Sequence, residues 1–182
     1  MKVHPTTIPG VIELFPNVYR DERGHFMETW NAQKFNELVE EVEFVQDNQS
    51  LSDRGVLRGL HYQVVRPQGK LVSVLTGGVF DVAVDLRQSS PTFGQWTGVI
   101  LSSERKNQLW IPPGFAHGFF ALSEAVRVVY KCTDFYFPEH ERTIVWNDPT
   151  LNIEWPISAD LPVLVSEKDR NGLSFEESEL FA

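Results

Sequence analysis

Arg58-Gly59-Leu60-His61-Tyr62-Gln63, followed by Gln68-Gly69-Lys70 and later by Ile111-Pro112-Pro113-Gly114-Phe115-Ala116-His117-Gly118-Phe119, sets two histidines among short apolar runs punctuated by Gly and Pro. Such runs read as strands between tight turns, and alternate residues of a strand point into the same cavity. A β-barrel metal centre usually offers two histidines one residue apart on such a strand. Here Gln63 occupies the second of those positions, and neutral acceptors make a poor cage for a transition metal, which prefers several imidazoles or carboxylates. His61 therefore reads as a proton-transfer group rather than a ligand, and no metal site is expected.

The same alternation extends outward. After the turn Gly77-Gly78, the run Val79-Phe80-Asp81-Val82-Ala83-Val84-Asp85-Leu86 puts Phe80, Val82, Val84 and Leu86 on one face. In Ala125-Val126-Arg127-Val128-Val129-Tyr130-Lys131-Cys132, Tyr130 shares a face with Val126, Val128 and Cys132, so its phenol points where the apolar residues point and needs a cavity or a partner. Residues 71–76, 94–101 and 108–111 are further strands, and the spacing predicts an antiparallel sandwich or barrel. One helix is predicted: Asn31 can cap it, and Phe35, Leu38, Val39 and Val42 follow helical spacing. Pro138, Pro149, Pro156 and Pro162 punctuate the C-terminal quarter, around Trp146 and Trp155, which predicts an irregular wrap around the barrel.

A chain of 182 residues with 42% hydrophobic content fits a single domain spanning residues 1–182. The formal charge of -9 disfavours broad contact with nucleic acid, which needs a basic face. No apolar run is long enough for a membrane helix, and the N-terminus lacks a signal-peptide pattern. The one cysteine, Cys132, reads as a small buried residue in a reducing compartment, so a cytoplasmic protein is expected. An anionic ligand would have to meet a local cluster drawn from Arg23, Arg58, Lys70 and Lys168, each of which could equally be a solvated surface cation.

His61 lies close to Arg58 and Lys70 in sequence. Proton abstraction from carbon beside a carbonyl needs a base, plus positive charge or donors where the enolate oxygen develops. His61 could supply the first and Lys70 or Arg58 the second; alternatively His61 is a core histidine satisfied by a backbone carbonyl. Tyr130 could deliver a proton from the opposite side of a bound molecule or simply pack in the core. Asp169, in the charge-rich Ser166-Glu167-Lys168-Asp169-Arg170, reads as a surface loop residue unless it accepts from the other nitrogen of His61, fixing its tautomer. His117, placed at the start of a strand by Pro112-x-Gly114-x-x-His117, is either a substrate contact or a structural hydrogen-bonding residue. Phe135-Tyr136-Phe137 could be core, or could present a ring that stacks on a flat heterocycle.

Asp21-Glu22-Arg23-Gly24-x-Phe26-x-Glu28, Phe44-Val45-Gln46-Asp47-Asn48, Gly55-Val56-Leu57-Arg58-Gly59-Leu60-His61, Gln68-Gly69-Lys70-Leu71-Val72, Ser90-Pro91-Thr92-Phe93-Gly94, Trp146-Asn147-Asp148 and Ser166-x-Lys168-Asp169 follow one another in order along the chain. Together with the two histidine motifs they resemble the dTDP-4-dehydrorhamnose 3,5-epimerase family over nearly the whole length. The resemblance implies an all-β, cupin-type jelly-roll barrel with one short N-terminal helix and a loop-rich C-terminal segment. It implies inversion of C3 and C5 of dTDP-4-dehydro-6-deoxy-D-glucose in dTDP-L-rhamnose biosynthesis, with no cofactor. It assigns His61 as base, Tyr130 as proton donor, Asp169 as partner of His61 and Lys70 as stabiliser of the enolate. By the same carry-over Arg23, Phe26, Glu28, Gln46, Asp47, Asn48, Arg58, His117, Glu141 and Lys168 contact the nucleotide-sugar, and Tyr136 stacks on thymine. Arg23, Phe26 and Glu28 would come from a neighbouring subunit, which implies a homodimer.

Three other readings fit parts of the sequence: an enzyme inverting only C3 or only C5 in another deoxysugar pathway, a non-catalytic cupin that binds a sugar nucleotide, and a metal-dependent cupin oxygenase or isomerase. Val64-Val65-Arg66-Pro67 and the tail after Arg170 match no firm pattern.

Overall fold

Short, alternating β-branched and aromatic runs bounded by Gly and Pro can bury one face only by pairing, and here they pair into two sheets that face each other. The computed structural model describes residues 1–159 and 161–182. The strands are β1 (Lys2–Pro5), β2 (Ile12–Phe15), β3 (Val18–Asp21), β4 (Gly24–Met27), β5 (Gln46–Ser52), β6 (Leu57–Gln63), β7 (Lys70–Thr76), β8 (Gly78–Asp85), β9 (Trp96–Ser102), β10 (Gln108–Ile111), β11 (Phe115–Ala121), β12 (Val126–Cys132) and β13 (Glu141–Thr143), with helices α1 (Ala32–Leu38) and α2 (Glu167–Arg170). One sheet has the order β1-β2-β10-β7-β12-β5, the other β13-β6-β11-β8-β9, and β3 and β4 form a separate hairpin. All pairings between these strands are antiparallel. This is the double-sheet arrangement of a jelly roll.

Three apolar layers follow from strand alternation. Between the sheets, Val72, Val74, Leu109, Ile111, Val126 and Val128 meet Val79, Ala83, Leu101, Phe115 and Phe119. The far face of the five-stranded sheet, carrying Val82, Val84 and Leu86 with Phe80 against them, is covered by Leu151, Ile153, Trp155, Phe175 and Phe181 of the C-terminal segment. That segment is the irregular wrap expected from its prolines, and Trp155 ties it back on itself by donating Nε1–H to the carbonyl of Trp146 at 2.8 Å. Part of the outer face of the six-stranded sheet is capped by α1, whose Phe35 packs with Leu14, Leu71 and Trp110.

The Asn31 cap forms as expected, its side chain accepting from the backbone N–H of Lys34. The helix ends sooner than the spacing predicts. It stops at Leu38, with Val39 in a non-helical conformation, and Val42 lies beyond it with its N–H donated to the Asn36 side chain. Glu40 and Glu41 directly after a helix C-terminus oppose the helix dipole, while Val39 and Val42 still pack with the cluster around Phe35. A second correction concerns α2. Residues 166–170 are a capped helical turn rather than a surface loop: Ser166 accepts from the N–H of Asp169, and Asp169 is buried.

Candidate active site

The register of the two sheets builds a hollow of about 340 Å³ between them. In the six-stranded sheet, cross-strand partners form inward-facing rows: Lys70, Cys132 and Gln46 in one, Val72, Tyr130 and Asn48 in the next, Val74, Val128 and Ser50 in the third. In the five-stranded sheet Glu141 lies opposite Gln63, Thr143 opposite His61, His61 opposite His117, and Arg58 opposite Phe119. His61 thus occupies a middle row of one wall and Tyr130 a middle row of the other. Both line the hollow, with Arg58, Lys70, His117 and Glu141 among its other walls.

An odd spacing along a regular strand would send Arg58 and His61 to opposite faces. The strand is not regular there. His117 pairs with His61 but Phe119 pairs with Arg58, so Gly59 and Leu60 together face the single residue Gly118, a β-bulge that re-aims a side chain. Glycine is required on both sides: Gly59 has φ 128°, and a Cβ on it would sit 2.5 Å from the Cα of Gly118.

His61 Nε2 lies 2.6 Å from Asp169 Oδ1, and the Gly59 N–H donates to the other carboxylate oxygen at 3.4 Å. Burial pushes the Asp169 carboxyl up, but the hydrogen bond and charge of His61, with the Gly59 and Ser166 contacts, outweigh it and hold Asp169 below the usual carboxylate range. An ionised Asp169 accepts from Nε2–H and leaves Nδ1 as the nitrogen turned away from the carboxylate. His117 makes a second pair, with Nε2 3.0 Å from each oxygen of Asp81. Here the strand start was misplaced by the sequence pattern: β11 begins at Phe115, so His117 sits inside the strand and is buried.

Burial drives the Lys70 amine below its ordinary value, partly offset by the charges of Cys132, Glu141 and Asp81; among the described residues it has no hydrogen-bond partner. Burial likewise raises the Tyr130 phenol, so it is protonated and a donor at neutral pH. At one end of the hollow, Glu141 accepts from the Tyr136 hydroxyl at 2.7 Å and from Lys168 Nζ. The bond to Glu141, with burial, pushes the Tyr136 phenol up to about 12. Gln46 accepts the Tyr136 backbone N–H and donates to Asn48, whose amide in turn donates to Cys132 Sγ at 3.5 Å.

Several residues marked by sequence lie elsewhere. Asp47 alternates with Gln46 and Asn48 on β5 and faces outward, paired with Lys131. Arg23, Phe26 and Glu28 belong to the β3–β4 region and do not line the hollow of their own chain. Arg23 bonds Asp21, Glu28 bonds Lys34, and Phe26 is 70% exposed. Conversely, Ser50, Gln68 and Phe119 line the hollow and Asp81 holds His117, although the sequence gives none of the four a role of its own. Gln63, at the position where a metal centre would carry histidine, is a loop clamp: its amide donates to the carbonyls of Arg66 and Phe135 and accepts the Phe137 N–H. Among the described residues, no three His, Cys, Asp or Glu side chains are grouped to hold a metal ion.

A base held by a carboxylate, a protonated phenol across from it and a buried amine beside both can move protons on carbon next to a carbonyl. Comparison with known proteins points the same way. The family model described as dTDP-4-dehydrorhamnose 3,5-epimerase matches residues 5–177. A Pseudomonas aeruginosa protein named dTDP-4-dehydrorhamnose 3,5-epimerase is 58% identical over 182 residues, covering 100% of this chain and 99% of its own. The crystal structure of a dTDP-6-deoxy-D-glucose-3,5-epimerase from Legionella pneumophila, in complex with dTDP-4-keto-L-rhamnose, superposes with a TM-score of 0.95 at 51% identity, over 98% of this chain and 94% of that one. A 3'-monoepimerase from Streptomyces bikiniensis, in complex with dTDP-quinovose, gives a TM-score of 0.88 at 32% identity, over 95% and 87% of the two chains. Sequence, fold and hollow agree, and this chain belongs to the dTDP-4-dehydrorhamnose 3,5-epimerase family.

Proposed function

We propose that this protein is an epimerase that inverts C3 and C5 of dTDP-4-dehydro-6-deoxy-D-glucose to give dTDP-4-dehydro-L-rhamnose. The observation that carries the reading is the placement of His61 and Tyr130 on opposite walls of one hollow. The C4 ketone acidifies the hydrogens on both neighbouring carbons, so one base and one acid can serve both centres. His61 Nδ1 takes the proton from C3, and the C–H electron pair passes into an enolate whose oxygen is met by Lys70. Tyr130 then gives its proton to the opposite face of C3, and exchange with solvent restores both groups. The same cycle at C5 completes the second inversion. Nothing in these steps needs a metal or redox cofactor, because the ketone already supplies the electron sink.

In this account Asp169 holds the His61 tautomer, Tyr136 stacks on thymine, and Gln46, Asn48, Arg58, His117, Glu141 and Lys168 contact the nucleotide-sugar. The reading extends to a homodimer. Arg23 and Phe26 are exposed on a hairpin remote from their own hollow, and a groove of about 650 Å³ along the outward residues Leu71, Ser73, Leu75 and Val129 includes the exposed Leu75. A second copy covering that sheet would bury the groove and bring the Arg23, Phe26, Glu28 and Asp47 side chains toward a shared site. Among the described residues no helix is long and apolar enough to cross a membrane, and the buried thiol of Cys132 suits a reducing, cytoplasmic setting.

The second reading, inversion at one carbon only, is favoured by the structural likeness to the monoepimerase. Incubating the protein with dTDP-4-dehydro-6-deoxy-D-glucose in heavy water and following the sugar by NMR separates the two. Deuterium at both C3 and C5 with L-rhamno product supports the double inversion; deuterium at one carbon supports the alternative; binding without exchange defeats both.

A further inference from the structure

Among the described residues, twelve line the hollow, and Phe119 is the only one of them whose side chain carries no polar atom. Its position is defined by register. Along β6 the order runs from Glu141's partner Gln63, through His61, to Arg58, and Phe119 is the partner of Arg58. Phe119 therefore stands one row beyond the His61–His117 pair, on the side away from Glu141 and Tyr136. Its ring lies 6.4 Å from that of His117, it is 3% exposed, and behind it is the apolar layer between the sheets. The ring is thus packed in the core and at the same time lines the hollow.

The substrate assigned above has one apolar substituent, the methyl on C5, and every other group on its sugar is an oxygen. Tyr130 and Tyr136 also present rings but each carries a hydroxyl, so among the described lining residues Phe119 alone offers that methyl a side chain with no polar atom. We propose that Phe119 is a specificity-determining residue that receives the C5 methyl and so selects 6-deoxy sugars against their 6-hydroxy counterparts. A hydroxyl on C6 would have to be desolvated against a phenyl ring with no partner for it, which costs free energy on that substrate alone. The methyl is attached to a reacting carbon, so a smooth apolar wall also lets it swing as C5 inverts without breaking a hydrogen bond.

This rests on the proposed epimerase activity, and the test separates the two. Solvent deuterium incorporation would be measured as kcat/KM for the 4-keto-6-deoxy sugar nucleotide and for the 4-keto sugar nucleotide that retains the 6-hydroxyl, with wild type, Phe119→Leu and Phe119→Tyr. Wild type is expected to prefer the 6-deoxy compound by about 100-fold. Phe119→Leu, still apolar, should keep most of that preference at a reduced rate, whereas Phe119→Tyr should cut it to below about tenfold. Thermal unfolding of each variant shows that the folded protein is being compared. No preference in wild type, an undiminished preference in Phe119→Tyr, or equal loss in Leu and Tyr would overturn the role of Phe119. If wild type exchanges neither compound, the epimerase reading falls instead.

Discussion

Among the described residues the protein has two histidine–carboxylate pairs, their histidines on neighbouring strands of one sheet, and they are built differently. His117 and Asp81 sit on adjacent strands, both buried, with one imidazole nitrogen shared evenly between the two carboxylate oxygens at 3.0 Å. His61 is 28% exposed at its side chain and meets a single oxygen of Asp169 at 2.6 Å, a residue 108 positions away on a helical turn of the C-terminal wrap. A pair buried between neighbouring strands, with only its imidazole at the hollow, fixes a wall. A pair with one face open to a hollow, and the other nitrogen free, can take and return a proton. The chemistry is therefore chosen by access, since the residue types and the bonded nitrogen, Nε2, are the same in both pairs.

The comparison breaks if the two pairs respond alike to mutation. His61→Ala should lower kcat by about 10⁴-fold while nucleotide affinity, measured by calorimetry with dTDP, changes by less than about threefold; equal loss of binding and rate would remove His61 as the base. Asp169→Asn, which keeps the shape but not the charge, should cost about 100-fold in kcat. Asp81→Asn should act mainly on stability, by about 2 kcal/mol, seen as a Tm lower by about 4–8 °C, with no more than about tenfold in kcat/KM. A larger rate loss from Asp81→Asn than from Asp169→Asn would reverse the roles assigned to the pairs.

A third buried carboxylate sharpens the contrast because it touches no part of the hollow. Asp85 accepts from Arg87, Ser90 and Thr92. Burial pushes its carboxyl up, but these donors prevail and bring it from 3.8 down to about 2. A depressed folded-state value means stabilisation that is complete above the unfolded value and disappears as pH falls through the folded one. Asp85→Asn should therefore lose about 2 kcal/mol at neutral pH, and the gap from wild type should close between pH 3.8 and about 2. Turnover by the folded variant should be unchanged. Unfolding in urea across this range checks the sign.

Much of this was legible in the sequence because strand alternation is a local property. The inward face of Val126, Val128, Tyr130 and Cys132 and the strand at residues 108–111 follow from spacing alone. The bulge that brings Arg58 and His61 to one side was not, since it depends on Gly59 meeting Gly118 across the sheet. Asp169 reads as surface decoration because its burial comes from docking of the wrap: Leu57 and Leu164 bond on one side of it and Leu173 and Thr143 on the other. Asp81 alternates with Phe80 and Val82, which reads as a strand with one wet face. Both faces of β8 are in fact covered, one by the opposing sheet and one by the C-terminal segment, so this polar residue is buried and pairs with His117.

Tyr130→Phe is the sharpest test of whether His61 and Tyr130 work from opposite sides of one bound sugar. In heavy water, with the 4-keto-6-deoxy sugar nucleotide as substrate, NMR would follow deuterium entry and configuration at C3 together. The account predicts that deuterium still enters through His61 while completed inversion falls at least about tenfold further than exchange. Inversion that proceeds undiminished in Tyr130→Phe would contradict it.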